Sequence, residues 1–110
     1  MKEVTISQVQ AYVKEHYQNT RTEEGLFIKL VEEVEEVAEV LNKRSGRKEG
    51  VQDSNEELGK ELADIIHYTV AIAAINDIHL TKTIFEKDKT AAVKYQHEKD
   101  LEQFLAEKSI

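Results

Sequence analysis

Two acidic pairs constrain this chain more than any other feature. Glu33-x-x-Glu36 lies in a segment with a helical apolar stripe, and Glu61-x-x-Asp64 lies in the next, with a polar, glycine-containing stretch between them. In a helix, residues three apart sit about 60° from each other around the axis, so both carboxylates of a pair point the same way. Two such helices packed face to face enclose four carboxylates. Like charges at that range are strongly unfavourable unless they are protonated or meet a cation. The chain therefore reads first as helices built around a hard divalent metal.

Composition narrows the class. The 110 residues suffice for one modest core and not for two, so residues 1–110 are read as a single domain. Hydrophobic residues make up 40% and charged residues 34%, with no proline, a balance that favours a globular helical chain. The formal net charge of −7 argues against a protein that grips nucleic acid through its phosphates. With no cysteine there is no disulfide, thiolate zinc site or cysteine nucleophile. The N-terminal residues have no apolar signal core. The longest nearly apolar run, Ile65 to Ile75, contains His67 and is too short to span a bilayer. The expectation is a soluble cytoplasmic protein with neither a membrane nor a nucleic-acid partner.

Periodicity then divides the chain into helices. Thr5-x-x-Gln8 has the spacing of a capping box, and Ile6, Val9, Val13 and Tyr17 recur at helical intervals, predicting a first helix over about residues 5–19. Thr20-x-x-Glu23 opens a second. On it Phe27, Leu30, Val34, Val37 and Leu41 alternate three and four apart, as in a bundle seam that ends near residues 44–46. Residues 45–55 carry two glycines and a single apolar residue, Val51, and read as a loop. Ser54-x-x-Glu57 caps a third helix. Its stretch from Ile65 to Ile75 is apolar on nearly every face, which a lone bundle of this size cannot cover, so self-association is expected. After a connector at residues 76–81, Thr81 caps a fourth helix reaching about residue 106. The pattern predicts an all-α antiparallel bundle of about four helices.

Within the second helix Glu32, Glu33, Glu35, Glu36 and Glu39 crowd into eight residues, more negative charge than helix stability favours. Glu33 and Glu36 directly precede the seam residues Val34 and Val37 and so flank the core, while the other three turn toward solvent. Glu61 and Asp64 stand at the threshold of the apolar run. A ligand set made only of oxygen favours Mg²⁺, with Mn²⁺ the alternative, and Mg²⁺ commonly completes its octahedron with water and substrate phosphates. Acidic pairs three apart are also common on solvated helix faces; the joint placement of two pairs at the core edge of consecutive helices is what favours a metal site. His67 follows Asp64 by three, the acid-x-x-His spacing of di-iron bundles. That architecture needs a second such motif, and Val13, Asn76 and Lys94 precede the other histidines, so His67 reads as a core or interface histidine. No glycine-rich phosphate loop, nucleophile elbow or histidine-rich zinc motif is present.

The run Leu30-Val31-Glu32-Glu33-Val34-Glu35-Glu36-Val37, followed by Glu61-Leu62-Ala63-Asp64-Ile65-Ile66-His67-Tyr68, resembles the MazG-type all-α nucleoside triphosphate pyrophosphohydrolases. The resemblance covers most of the chain. It implies Mg²⁺ held by Glu33, Glu36, Glu61 and Asp64, and cleavage of a nucleoside triphosphate between the α and β phosphates to a monophosphate and pyrophosphate, a nucleotide-pool house-cleaning activity. It also implies assembly as dimers or dimers of dimers, with the nucleotide in a cleft between the metal helices and a neighbouring subunit. In one respect the chain departs from the family: Glu35 stands inside the first motif, where many relatives have glycine or another uncharged residue. Its helix angle assigns it to the surface.

Supporting residues follow from position. Glu33 or Glu36 is the candidate general base, and the sequence leaves the choice open. Lys29, one turn before Glu33, suits either a phosphate contact or a salt bridge to Glu33. Among Lys87, Lys89 and Lys94 on the last helix, in the region where the resemblance places a phosphate-contacting lysine, Lys89 is the candidate. Tyr68, one turn after Asp64, suits substrate contact or packing. Arg47 and Lys48 lie in the loop that would fold over a nucleotide. The competing reading is a non-catalytic helical interaction module, or a nucleotide-binding relative without turnover.

Overall fold

The computed structural model describes residues 1–17, 22–46 and 54–108. Among these residues there are five α-helices and no strand: α1 (Ile6–Tyr17), α2 (Glu23–Gly46), α3 (Ser54–Ile75), α4 (Leu80–Lys94) and α5 (Leu101–Lys108). The chain forms two compact units, Met1–Ile78 and His79–Ile110. None of the described helices is long and apolar enough to cross a membrane.

In the first unit the expected capping box at α1 is formed. Thr5 Oγ1 accepts from the Gln8 backbone N–H at 3.1 Å, and Gln8 Oε1 accepts from the Thr5 N–H at 2.8 Å. The start of α2 is capped by Thr22, whose Oγ1 accepts from the Gly25 N–H at 3.0 Å. Thr20, the expected cap, lies outside the described residues. Ser54 begins α3, and its hydroxyl accepts from Arg44 Nε at 3.2 Å and Nη2 at 2.9 Å, tying the end of α2 to the start of α3. The loop residues Arg47, Lys48 and Val51 are outside the described set.

These contacts also set direction. Arg44 meets Ser54 at one end of the pair and Glu33 meets Glu61 and Asp64 midway, while Glu23 shares a groove with Ile72 at the other end, so α2 and α3 run antiparallel. Helix α1 is antiparallel to α3 as well. Tyr17 reaches His67, Lys14 pairs with Asp77 at 2.5 Å, and Gln10 donates to the Ile78 carbonyl. Helix α3 is thus the common partner of α1 and α2. Its buried residues, Val70, Ala71, Ala73 and Ala74, are small and allow close approach, and they join Val13, Leu26 and Val40 in the core. The helix ends where Asp77 adopts φ 55°, with Ile78 N–H bonded to the Ala73 carbonyl and Asp77 N–H to that of Ala74.

The seam on α2 differs from the expected one. Leu26 and Val40 are buried and Leu30, Glu33 and Val37 half-buried, a stripe at spacings of four, three, four and three. Phe27 and Val34, expected on the seam, are 57% and 49% exposed, and Leu41 is exposed too. The chain carries two interleaved apolar stripes about 100° apart, and α3 covers the one containing Glu33. Periodicity alone weighs the stripes equally; the partner helix decides between them.

In the second unit the expected continuous fourth helix is broken. Helix α4 is capped by His79, whose Nδ1 accepts from the Lys82 N–H at 3.2 Å; Thr81, the expected cap, falls inside the helix. It stops after Lys94, where Gln96 takes φ 57° and the His97 N–H bonds to the Ala92 carbonyl. A second capping box then starts α5: Asp100 Oδ1 accepts from the Gln103 N–H and Gln103 Oε1 from the Asp100 N–H. Asp88 Oδ2 accepts from the Leu101 N–H at 2.6 Å and fastens α5 back onto α4. The all-α class therefore stands with five helices in place of about four.

Candidate active site

Helix α2 brings Glu33 to its α3-facing side, and α3 answers with Glu61 and Asp64, one turn apart. One carboxylate oxygen from each of the three residues lies within 4.8 Å of the others. Glu33 and Glu61 are half-buried and Asp64 is exposed, so the cluster opens to solvent on one side. Glu36, one turn along α2, is exposed and outside that trio but also engages Glu61 through its carboxylate. Glu32, Glu35 and Glu39 are exposed, as expected from their angle on the helix.

The electrostatic cost of this grouping falls on Glu61. Its carboxyl is pushed up from 4.5 to about 7, first by the hydrogen-bonding contact with Glu33, then by burial, then by Glu36. Near neutral pH the cluster therefore holds a proton that four separate carboxylates would release. A divalent cation does the same neutralising without protonation. The spread of up to 4.8 Å is wider than the about 3 Å between adjacent ligands of an ion bound at about 2.1 Å, so holding one draws the carboxylates inward, and an all-oxygen donor set suits a hard cation.

Around α3 the remaining residues sort by angle. In antiparallel helices the same sense of rotation leads to the same side of the pair, so Glu36 and Asp64 fall on one edge of the α2–α3 hairpin. Phe27, Val31, Val34 and Leu41 of α2 fall on the opposite edge with Leu62 and Ile66 of α3, and all six are exposed. His67, which meets α1, lies about 60° beyond Asp64, so α1 flanks the acidic edge.

One turn along from the carboxylates, antiparallel packing puts Lys29 and Tyr68 in the same layer. Lys29 Nζ reaches Glu32 Oε1 at 3.5 Å, a loose exposed pair, and does not make the bridge to Glu33 that is one of its two readings. Tyr68 is half-buried, its ring edge-to-face with His67 at 5.0 Å. Lys89 lies on α4 in the second unit and pairs with Glu102 at 3.2 Å, which holds its ammonium above its ordinary pKa. Tyr17 had no signal in the sequence: it meets His67 at 2.6 Å across fifty positions of chain.

Residues 21–100 match the MazG nucleotide pyrophosphohydrolase domain. The chain belongs to this family. The match covers both acidic motifs and continues past the boundary between the two compact units. No curated protein and no solved structure is significantly similar to the chain.

Proposed function

We propose that this MazG-family chain hydrolyses a nucleoside triphosphate between its α and β phosphates, with Mg²⁺, or Mn²⁺ in its place, at the carboxylate cluster. The observation that carries the reading is the convergence of Glu33, Glu61 and Asp64 within 4.8 Å in a chain of this family. Glu33, Glu61 and Asp64 hold the cation, with Glu36 completing the set. When bound, the cation supplies charge neutralisation of the phosphates and acidifies water.

The protein's own part is to orient and to move a proton. Glu36 is exposed and lies outside the tight trio, so as the outermost carboxylate of the set it is placed to take the proton of the attacking water. The water oxygen forms a bond to phosphorus, the bridging α–β phosphate bond breaks, and pyrophosphate leaves with the electron pair. Lys29 turns from Glu32 to the phosphate tail at little cost, because exposed pairs of this kind contribute only about 0–1 kcal/mol. Tyr68 offers a ring to the sugar or base beside the phosphates.

The whole chain acts as one catalytic domain in this reading, since the family match continues beyond residue 78. The exposed apolar edge of α2 and α3 is covered by a second copy, giving a homodimer or a dimer of dimers that clears unwanted nucleotides in the cytoplasm. The test is incubation with Mg²⁺ and a panel of ribo- and deoxynucleoside triphosphates, including damaged bases, with pyrophosphate and monophosphate read out. Equimolar release of both is expected. No release from any member, and no thermal shift with Mg²⁺ plus nucleotide, overturns the reading in favour of a non-catalytic module.

A further inference from the structure

The α1–α3 contact contains a feature that the carboxylate chemistry does not use. Three rings stand in a row: Tyr17 at the end of α1, His67 on α3 and Tyr68 beside it. The Tyr17 hydroxyl and His67 Nε2 are 2.6 Å apart, and the two rings meet edge-on with centroids 5.6 Å apart at 68°. His67 meets Tyr68 edge-on in turn, at 5.0 Å and 86°. All three are half-buried.

Their place along α3 gives the row its meaning. Tyr68 is four residues after Asp64 and seven after Glu61, so it lies directly above the acidic residues on the same face of the helix. It shares its layer with Lys29. His67 turns about 100° away from Tyr68, toward α1, where Tyr17 fixes it. A half-buried tyrosine ring in this position retains some rotamer freedom, and an imidazole packed nearly perpendicular to it at 5.0 Å restricts it. The imidazole is itself held by a hydrogen bond from another helix, which sets its ring plane. Preorganising a binding side chain through a supporting layer of this kind raises affinity by removing an ordering cost from the binding step.

We propose that Tyr17 and His67 are positioning residues that fix the ring of Tyr68 as a stacking platform for the sugar or base of the nucleotide. The inference rests on the proposed hydrolase reading for the identity of the ligand. Stacking on an aromatic face tolerates any base, so the platform sets affinity for nucleotides as a class and does not choose among bases. The prediction is specific: Tyr17 touches no substrate, acts on binding through Tyr68, and affects binding more than the chemical step.

The experiment is a double-mutant cycle on the full chain. Tyr17→Phe keeps the ring and removes the hydroxyl, and Tyr68→Leu removes the platform. Affinity is measured by calorimetry with Mg²⁺ and the αβ-imido analogues of the four deoxynucleoside triphosphates, and KM and kcat are measured with the natural triphosphates. Tyr17→Phe is expected to raise Kd and KM about fivefold, the effect of one neutral hydrogen bond, with kcat within about twofold. In the Tyr68→Leu background the same change should have no further effect. His67→Gln, which keeps a polar atom for Tyr17, should bind better than His67→Leu. Unchanged affinity in Tyr17→Phe, or a loss that persists undiminished in the Tyr68→Leu background, overturns the inference. Turnover by the wild-type chain with a flat cycle defeats the inference alone, whereas a wild-type chain that neither binds nor hydrolyses any nucleotide defeats the hydrolase reading and the inference with it.

Discussion

The two edges of the α2–α3 hairpin are made from the same pair of helices and do opposite things. One gathers Glu33, Glu36, Glu61 and Asp64, and is flanked by α1. The other lines up Phe27, Val31, Val34 and Leu41 beside Leu62 and Ile66, all six of them exposed among the described residues. The acidic edge is unfavourable in isolation because of charge, and the apolar edge because of exposed surface. In the proposed reading a cation offsets the first and the apolar surface of a second copy offsets the other. Glu36 and Val34 on α2, like Asp64 and Ile66 on α3, are only two residues but about 160° of rotation apart.

The largest effects should come from the acidic edge. Asp64→Asn and Glu61→Gln are each expected to abolish pyrophosphate release while far-UV circular dichroism stays helical; retained turnover in either variant removes the metal assignment. Between the edges, the adjacent residues Leu26 and Phe27 should behave differently. Leu26→Ala empties a fully buried position and is expected to cost about 2–5 kcal/mol in urea unfolding. Phe27→Ala, at an exposed position, should cost within about 0.5 kcal/mol in the dilute chain. Equal losses would mean that the two stripes are not distinct.

The apolar edge has its own test. Val31 and Ile66 share a layer of the hairpin, and Val31→Lys with Ile66→Lys should convert an assembled protein to monomer in sedimentation velocity without loss of helix. A wild-type chain that is already monomeric at tens of micromolar, by order of magnitude the range for a weak interface, overturns self-association. The smallest effect is on the pH profile of stability. With its folded pKa at about 7 against 4.5 ordinarily, Glu61 stays protonated in the folded chain while the unfolded chain releases that proton. The folded state then binds more protons between those values, so stability falls as pH rises from about 4.5 to 7 and stays at the lower level above it. Thermal melts of the metal-free protein should show this slope, Glu61→Gln should flatten it, and Mg²⁺ should offset it at pH 8.

Much of the acidic edge was legible in the sequence because its information is local. Residues three apart on a helix share a face whatever the helix packs against, so Glu33 with Glu36 and Glu61 with Asp64 were readable as pairs. The capping box at Thr5 and Gln8 is local in the same way, and so is the box at Asp100 and Gln103, which the run of helix-favouring residues around it obscured. The apolar seam was less legible. Phe27, Val34 and Leu41 satisfy the same periodicity as Leu26, Glu33 and Val40, and a stripe that includes a glutamate is the one hydrophobicity would reject. The lysines illustrate a further limit: Lys29 found Glu32 in place of Glu33, a choice between neighbours one residue apart that differ little in energy.

By itself the sequence determined that this chain is helical, where α1 and α3 begin, which acids travel as pairs, and, through its family profile, that it is a MazG domain. These follow from periodicity, capping and motif spacing, which act over a few residues. Only the tertiary structure decided which of two apolar stripes became core, that Glu33 rather than Val34 faces α3, and that Tyr17 meets His67. Those outcomes depend on how one helix rotates against another, and rotation is fixed by the summed packing of residues fifty positions apart, which no local pattern records.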